Sequence, residues 1–264
     1  MISESLIEDV NGKIAYLYLN RPKVGNALNF QIVEELTDAL NRAEEDPRIK
    51  VIVISGVGKV FCAGADLKVL NSILENSTVE NKNDSEALMN LFLTIRNLKK
   101  PVIAKVNGHA IAGGAGLASA CHLIVSSNEA KFGFTEVKIG FVPAQIMFFV
   151  KQRVSETDLF DLFLTGKLIT AEYAKEIRLI NESVELEKLD ERVEQLANSL
   201  VKNSSGTSMR FTLEMMSKIN GMGLESALQY AATVNTLSRS TEACKFGVGN
   251  FVKKEPSDWS MVNF

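Results

Sequence analysis

Apolar residues alternate with polar ones around Leu6-Ile7 and again from Ile14 to Leu19, with Asn11-Gly12 between the two stretches. That pattern predicts a β-hairpin. Beyond it, Asn29 is placed to cap a helix whose apolar positions Ile32, Val33, Leu36 and Leu40 recur at helical spacing. The run Val51 to Ile54 reads as a strand, and strand, turn and helix recur from Val102 onward. Such alternation predicts an α/β core. After about Val201 the pattern is helical only, over 204–220 and 223–246. These helices have no sheet of their own, so they must pack on the core or on another subunit. The chain therefore divides into a core over 1–200 and a helical region over 201–264. The polar, weakly patterned stretch Glu75 to Ser85 predicts a surface segment, as readily a plain linker as a lid.

Two glycine-rich runs, Phe61 to Asp66 and Asn107 to Gly116, each follow a strand-like stretch and each lead toward a helix. Backbone N–H groups are unpaired at such junctions. Two of them converging on one oxygen would stabilise the oxyanion that forms when a thioester carbonyl takes on enolate character. Acyl-thioester chemistry is the expectation. A dinucleotide fingerprint is the rival explanation of Gly114 and Gly116, but Ser119 stands where a third Gly or Ala is needed. No acidic residue ends a strand about twenty positions later, and no P-loop is present.

Composition narrows the classes. With 264 residues and 46% apolar content the chain can bury a large core. A net charge of −3, from 29 basic and 32 acidic residues, gives no reason to expect nucleic acid. Cys62, Cys121 and Cys244 show no metal-type spacing and leave an odd thiol, which predicts a reducing compartment. No apolar run reaches membrane-spanning length, and the first residues, Met1 to Ser5, lack the basic and apolar parts of a signal peptide. The expectation is a cytoplasmic protein without a bound metal.

The two runs also resemble the crotonase superfamily, the enoyl-CoA hydratases and isomerases. The likeness extends through Leu19 to Lys23 with Asn26 to Leu28, Phe61 to Lys68, Pro101 to Gly140, Leu164 to Gly166 with Ala171 and Ala174, and Leu179 to Asn181. It thus covers nearly the whole chain. The resemblance implies a spiral of repeated ββα units, an acyl-CoA substrate, no cofactor beyond the CoA carried by that substrate, and trimer contacts made by the C-terminal helices, as a trimer or a dimer of trimers. It further implies that the backbone N–H groups of Ala65 and Gly113 form the oxyanion hole. Small residues there let a thioester approach the backbone closely, and glycine permits a positive φ.

By the same resemblance Glu136 matches the glutamate that hydratases use to deliver a proton to the α-carbon and that several isomerases use as a single shuttle. Such a carboxyl needs a partly apolar pocket to raise its pKa, and Phe132, Phe134 and Phe141 are candidates to supply it. Two departures matter. Gly116 stands where two-glutamate hydratases carry their other carboxylate, leaving space that a water could fill. Ala144 stands where dienoyl-CoA isomerases place an aspartate. Pro143 to Phe149 replaces the glycine-rich helix start of hydratases, bringing bulk toward the acyl group, and Gln145 is either an orienting group or an ordinary helix residue. Gly133 to Ala144 resembles the methylglutaconyl-CoA hydratase-like branch, whose members act on branched short acyl-CoAs.

Lys23 and the backbone of Ala63 and Asp66 lie in segments resembling the pantetheine and adenine cradle, and Lys254 resembles a tail lysine that reaches a nucleotide phosphate from an adjoining subunit. Histidine is a frequent catalyst, but His109 falls at a variable family position and His122 replaces an aspartate common in relatives. The leading expectation is an enoyl-CoA hydratase of the methylglutaconyl-CoA hydratase-like type with one acid/base group. A single-glutamate isomerase is the close alternative, followed by an acyl-CoA decarboxylase and a non-catalytic crotonase-fold scaffold.

Overall fold

The computed structural model describes residues 5–262; Met1 to Glu4, on which most of the N-terminal reading rests, lie outside them. The predicted hairpin is present as β1 (Leu6–Asn11) and β2 (Ile14–Leu19), antiparallel with Asn11 opposite Ile14. Helix α1 (Phe30–Glu45) is capped by Asn29, whose side-chain oxygen accepts from the Ile32 N–H at 3.0 Å. Its buried stripe includes Ile32, Val33, Leu36 and Leu40.

Three successive turns of chain then repeat one plan. Strands β3 (Val51–Gly56) and β4 (Val60–Cys62) are followed by α2 (Leu67–Ser72) and α3 (Thr78–Asn97). Strands β5 (Val102–Val106) and β6 (His109–Ile111) are followed by α4 (Gly113–Ala120). Strands β7 (Leu123–Ser127) and β8 (Lys131–Gly133) lead through the 3-10 turn Thr135–Ile139 to α5 (Ala144–Lys151) and α6 (Glu156–Thr165). The last core elements are β9 (Leu168–Thr170), α7 (Ala171–Glu176), β10 (Glu182–Val184) and α8 (Leu186–Asn203). In each turn the first strand joins a six-stranded sheet, ordered β1-β2-β3-β5-β7-β10, and the second joins a four-stranded sheet, ordered β4-β6-β8-β9. This is the ββα spiral implied by the resemblance.

The six-stranded sheet is covered on both faces, which is why β3 reads as an uninterrupted apolar run. Alternate residues serve different layers. Ile52 and Ile54 join the main core with α1, α3 and α4, whereas Val51 and Val53 meet Leu189, Val193, Ala197 and Val201 of α8. Helix α8 thus packs on the core, and the helices that follow it begin after Ser205. It comprises α9 (Gly206–Lys218), α10 (Leu224–Arg239) and α11 (Glu242–Lys253). The helical stretch read over 223–246 is divided at Thr241, whose hydroxyl donates to the Ser238 carbonyl and accepts from the Cys244 N–H.

The stretch Glu75 to Ser85 is also structured. Ser77 and Glu80 form a reciprocal capping box that starts α3 at Thr78. Residues Leu91, Phe92 and Ile95 of that helix are buried in the core. Among the described residues no helix is long and apolar enough to cross a membrane.

Candidate active site

The glycine runs leave not β3 and β5, as the sequence suggested, but the short strands that follow them. β4 and β6 pair in parallel, with Val60 opposite His109 and Cys62 opposite Ala110, so their exits lie side by side. A Cβ built on Gly64 would stand 3.0 Å from the Ala112 Cβ and 3.6 Å from the Gly113 nitrogen. The two runs therefore touch at the point where donors were expected.

Positive φ falls one residue ahead of each expected donor, at Gly64 (+93°) and Ala112 (+49°), rather than on Ala65 or Gly113. Ala112 is the N-cap of α4, with ψ −123°, and its N–H is anchored to the Gly133 carbonyl at 2.7 Å. Holding a non-glycine residue there costs about 1–3 kcal/mol, a strain that collects at functional backbone. The strain turns the peptide that follows. Around Ala65, the Leu28 N–H donates to the Gly64 carbonyl at 2.7 Å and the Asp66 N–H donates to the Leu28 carbonyl at 2.8 Å. These bonds use the peptide groups on either side and leave the Ala65 N–H itself without a partner among the described residues. Gly113, at the first position of α4, is in the same condition, as helix starts are.

Both residues line a cavity of about 540 Å³. Its wall also carries Ala63, Glu136 and Gln145, so five of the expected site residues share one space. Glu136 sits in the 3-10 turn after β8, and its Oε2 is buried without a hydrogen-bond partner. Burial raises its pKa above the usual carboxylate value. Lys138, the neighbour that could have neutralised it, instead packs its aliphatic stem toward Gly166. Of the three phenylalanines expected around Glu136, Phe141 lines the cavity. Phe132 and Phe134 lie behind it in the core, where Phe134 stacks on Phe163 at 4.6 Å.

Gly116 does not leave open space. It is buried beneath α5, and a Cβ there would lie 2.0 Å from Ile146 Cγ2, so the side chain of Ile146 fills the volume expected for a water. Gln145 turns from a helix residue into a clasp, its Nε2 donating to the Ser85 carbonyl of α3 at 2.6 Å. Its Oε1 remains as an acceptor beside the cavity.

The remaining expected residues lie at the margins. The Ala63 N–H is committed to the Gly25 carbonyl, and the Asp66 N–H to Leu28. Asp66 does not line the cavity. It caps α2 by accepting from the Lys68 N–H and pairs with Arg21 at 2.6 Å, and these contacts lower its pKa. Lys23 is exposed on the 3-10 turn Pro22–Val24, and Lys254 is exposed in a left-handed cap after α11; neither reaches this cavity. His109 is exposed on β6, its Nδ1 accepting from the Lys131 N–H at 3.2 Å. His122 is half-buried away from this cavity, its Nδ1 accepting from the Val102 N–H. Neither histidine lines this cavity. Among the described residues no cluster of His, Cys, Asp or Glu could hold a metal.

Three contributors were missed by sequence reasoning. Arg21 ties the Asp66 cap to the Ala27 carbonyl, Ile146 closes the Gly116 space, and Asp84 of α3 enters the cavity wall. Asp84 had a signal: it begins the i, i+4 series Asp84, Leu88, Phe92, and a Ser77-to-Glu80 capping pair stands ahead of it.

Comparison with known proteins identifies the family. The enoyl-CoA hydratase/isomerase family model matches residues 9–261. A Thermus thermophilus protein provisionally named enoyl-CoA hydratase is 40% identical over 251 residues, 95% of this chain and 99% of its own length. Crotonyl-CoA hydratase of Syntrophomonas wolfei is 31% identical, over 98% of this chain and 99% of its own. The crystal structure of an enoyl-CoA hydratase from Mycobacterium smegmatis superposes with a TM-score of 0.92 at 27% identity, covering 97% of this chain and 99% of that one. The chain belongs to the enoyl-CoA hydratase/isomerase family.

Proposed function

We propose that this protein hydrates a 2-enoyl-CoA, with Ala65 and Gly113 as oxyanion donors and Glu136 as the only group that moves protons at the substrate. The convergence of the two unpaired N–H groups with an unpartnered, pKa-raised carboxyl in one apolar cavity carries this reading. The thioester oxygen would accept from both N–H groups, each donor of this kind being worth about a hundred- to a thousandfold in rate. Water oxygen bonds to C3 as the C2=C3 electron pair moves toward the carbonyl and forms the enolate. The ionised Glu136 takes the water proton. Collapse of the enolate then draws that proton to C2, which yields the 3-hydroxyacyl-CoA and regenerates the carboxylate. Gln145 Oε1 is the polar acceptor available to orient the water.

The filled space at Gly116 favours a second reading. An isomerase moves a proton between two carbons of one bound acyl chain, needs one carboxylate and needs no water. Reaction in oxygen-18 water distinguishes them. Label at C3 of the product supports hydration; conversion of a 3-enoyl-CoA to its unlabelled 2-enoyl isomer, with no hydration, replaces it.

Two further assignments accompany the proposal. Helices α9 to α11 bury only Gly206 and Val234 and expose Met216, Leu224, Leu228, Leu237, Phe246 and Phe251. We assign this face to self-association, as a trimer or a dimer of trimers, with Lys254 reaching a neighbour's CoA. All three cysteines are free thiols, in keeping with a cytoplasmic location.

A further inference from the structure

Resting on the acyl-CoA reading above, we propose that the acyl chain this cavity accepts is uncharged, and that Asp84 is the residue that turns away acyl groups ending in a carboxylate. The cavity wall is largely apolar, built from Leu28, Val33, Val69, Leu70, Leu88 and Ile146 among others. The charged residues on it, among those described, are Asp84 and Glu136.

Asp84 is fixed by the helix that carries it. It lies one turn before Leu88 and two before the buried Phe92, so it continues the inward stripe of α3 about 6 Å beyond Leu88. The capping box at Ser77 holds the start of that helix, and the Gln145 amide clamps the adjacent Ser85 carbonyl against α5. No cation among the described residues pairs with Asp84. Burial accordingly raises its pKa, as it does for Glu136.

A substrate carboxylate entering this space would lose water, meet no positive partner on the wall and face two groups of its own sign. Each of these disfavours binding. A neutral chain meets the apolar wall and suffers none of them. An acyl group that ends in a carboxylate is therefore the wrong charge for this site.

Saturated thioesters test the proposal without requiring any reaction. Pentanoyl-CoA and glutaryl-CoA are close in length and differ in the terminal carboxylate; calorimetric titration of the full-length protein at pH 8 should show pentanoyl-CoA binding at least about thirtyfold tighter, roughly a two-kcal/mol preference. In Asp84→Asn, checked for an unchanged circular dichroism spectrum, that ratio should shrink about fivefold or more. Asp84→Lys should shrink it further or invert it. Absence of discrimination in the parent protein, whether both ligands bind or neither does, overturns the proposal. So does an unaltered ratio in the folded variants. If the preference holds while no enoyl-CoA is hydrated, the hydratase reading fails and the charge selection stands; if glutaconyl-CoA and 2-pentenoyl-CoA are hydrated equally well, the reverse is true.

Discussion

Gly116 and Ile146 share one small volume: a methyl group on the first would lie 2.0 Å from Cγ2 of the second. The position cannot simply be given back a carboxylate. Gly116→Ala should destabilise the fold by about 1–3 kcal/mol through overpacking, and Gly116→Glu by more. Denaturant unfolding of Gly116→Ala alone and with Ile146→Ala checks this, since the second change should restore part of the loss. Equal stability of Gly116→Ala and the parent would contradict it.

Glu136 sets function against stability. Removing its charge in Glu136→Gln should lower turnover at least about a hundredfold. Because burial raises its pKa, the folded protein holds this proton to higher pH than the unfolded chain does. Ionising the group therefore costs stability as pH rises from 4.5 through the raised value. Glu136→Gln should accordingly be more stable than the parent at pH 8. The parent's kcat/KM should fall on the acid side with a midpoint above 4.5, since the carboxylate is the active form. A variant that is both active and less stable would refute the assignment.

The oxyanion hole is tested by Gly113→Pro, which removes one N–H at the first position of α4, where a helix tolerates proline. The barrier should rise by about 3 kcal/mol or more in steady-state assays of protein whose helix content is unchanged. Full activity in the folded variant is the contrary result.

His122 governs acid stability. Burial lowers its pKa to about 4, and the Val102 N–H on Nδ1 requires the neutral ring. Its folded value lies below the unfolded value near 6.5, so its contribution is complete above pH 6.5 and is lost as pH falls toward 4, by up to about 3 kcal/mol. Chemical unfolding from pH 7 to 4 should show that slope, and His122→Gln should flatten it.

The exposed apolar face of α9 to α11 predicts assembly at micromolar concentration, and sedimentation equilibrium should return three or six chain masses. A monomer would be the contrary finding.

Much of this was legible in the sequence. The hairpin, α1 and the glycine runs follow from local chemistry: alternation, an Asn29 cap, and N–H groups freed at strand ends. Ala63, Ala65 and Gly113 meet because β4 and β6 are adjacent strands, while Glu136 and Gln145 join them from the turn after β8 and from α5, an arrangement that periodicity alone did not imply. What stayed hidden depended on distant pairs. The Gly116 space could be judged only once α5 placed Ile146 over it. Asp84 stood in a stretch readable as linker or lid, and its place on the cavity wall depends on residues as far apart as Leu28 and Ile146.

Lys50 gives the end of the chain a claim on its middle. This ammonium, 1% exposed at the head of β3, donates at 2.9 Å to the carbonyls of Val201, Ser204 and Trp259. Burial lowers its pKa to about 8. All three of its protons are thus taken by backbone made more than a hundred residues later, and the last acceptor arrives only when nearly the whole chain has been synthesised. On the ribosome, the Lys50 ammonium cannot gain its third acceptor until Trp259 emerges, by which time α9, α10 and α11 have already been synthesised. A chain interrupted before Trp259 keeps a buried charge short of one partner, so completion of the core and possession of the intact C-terminal helices become a single condition.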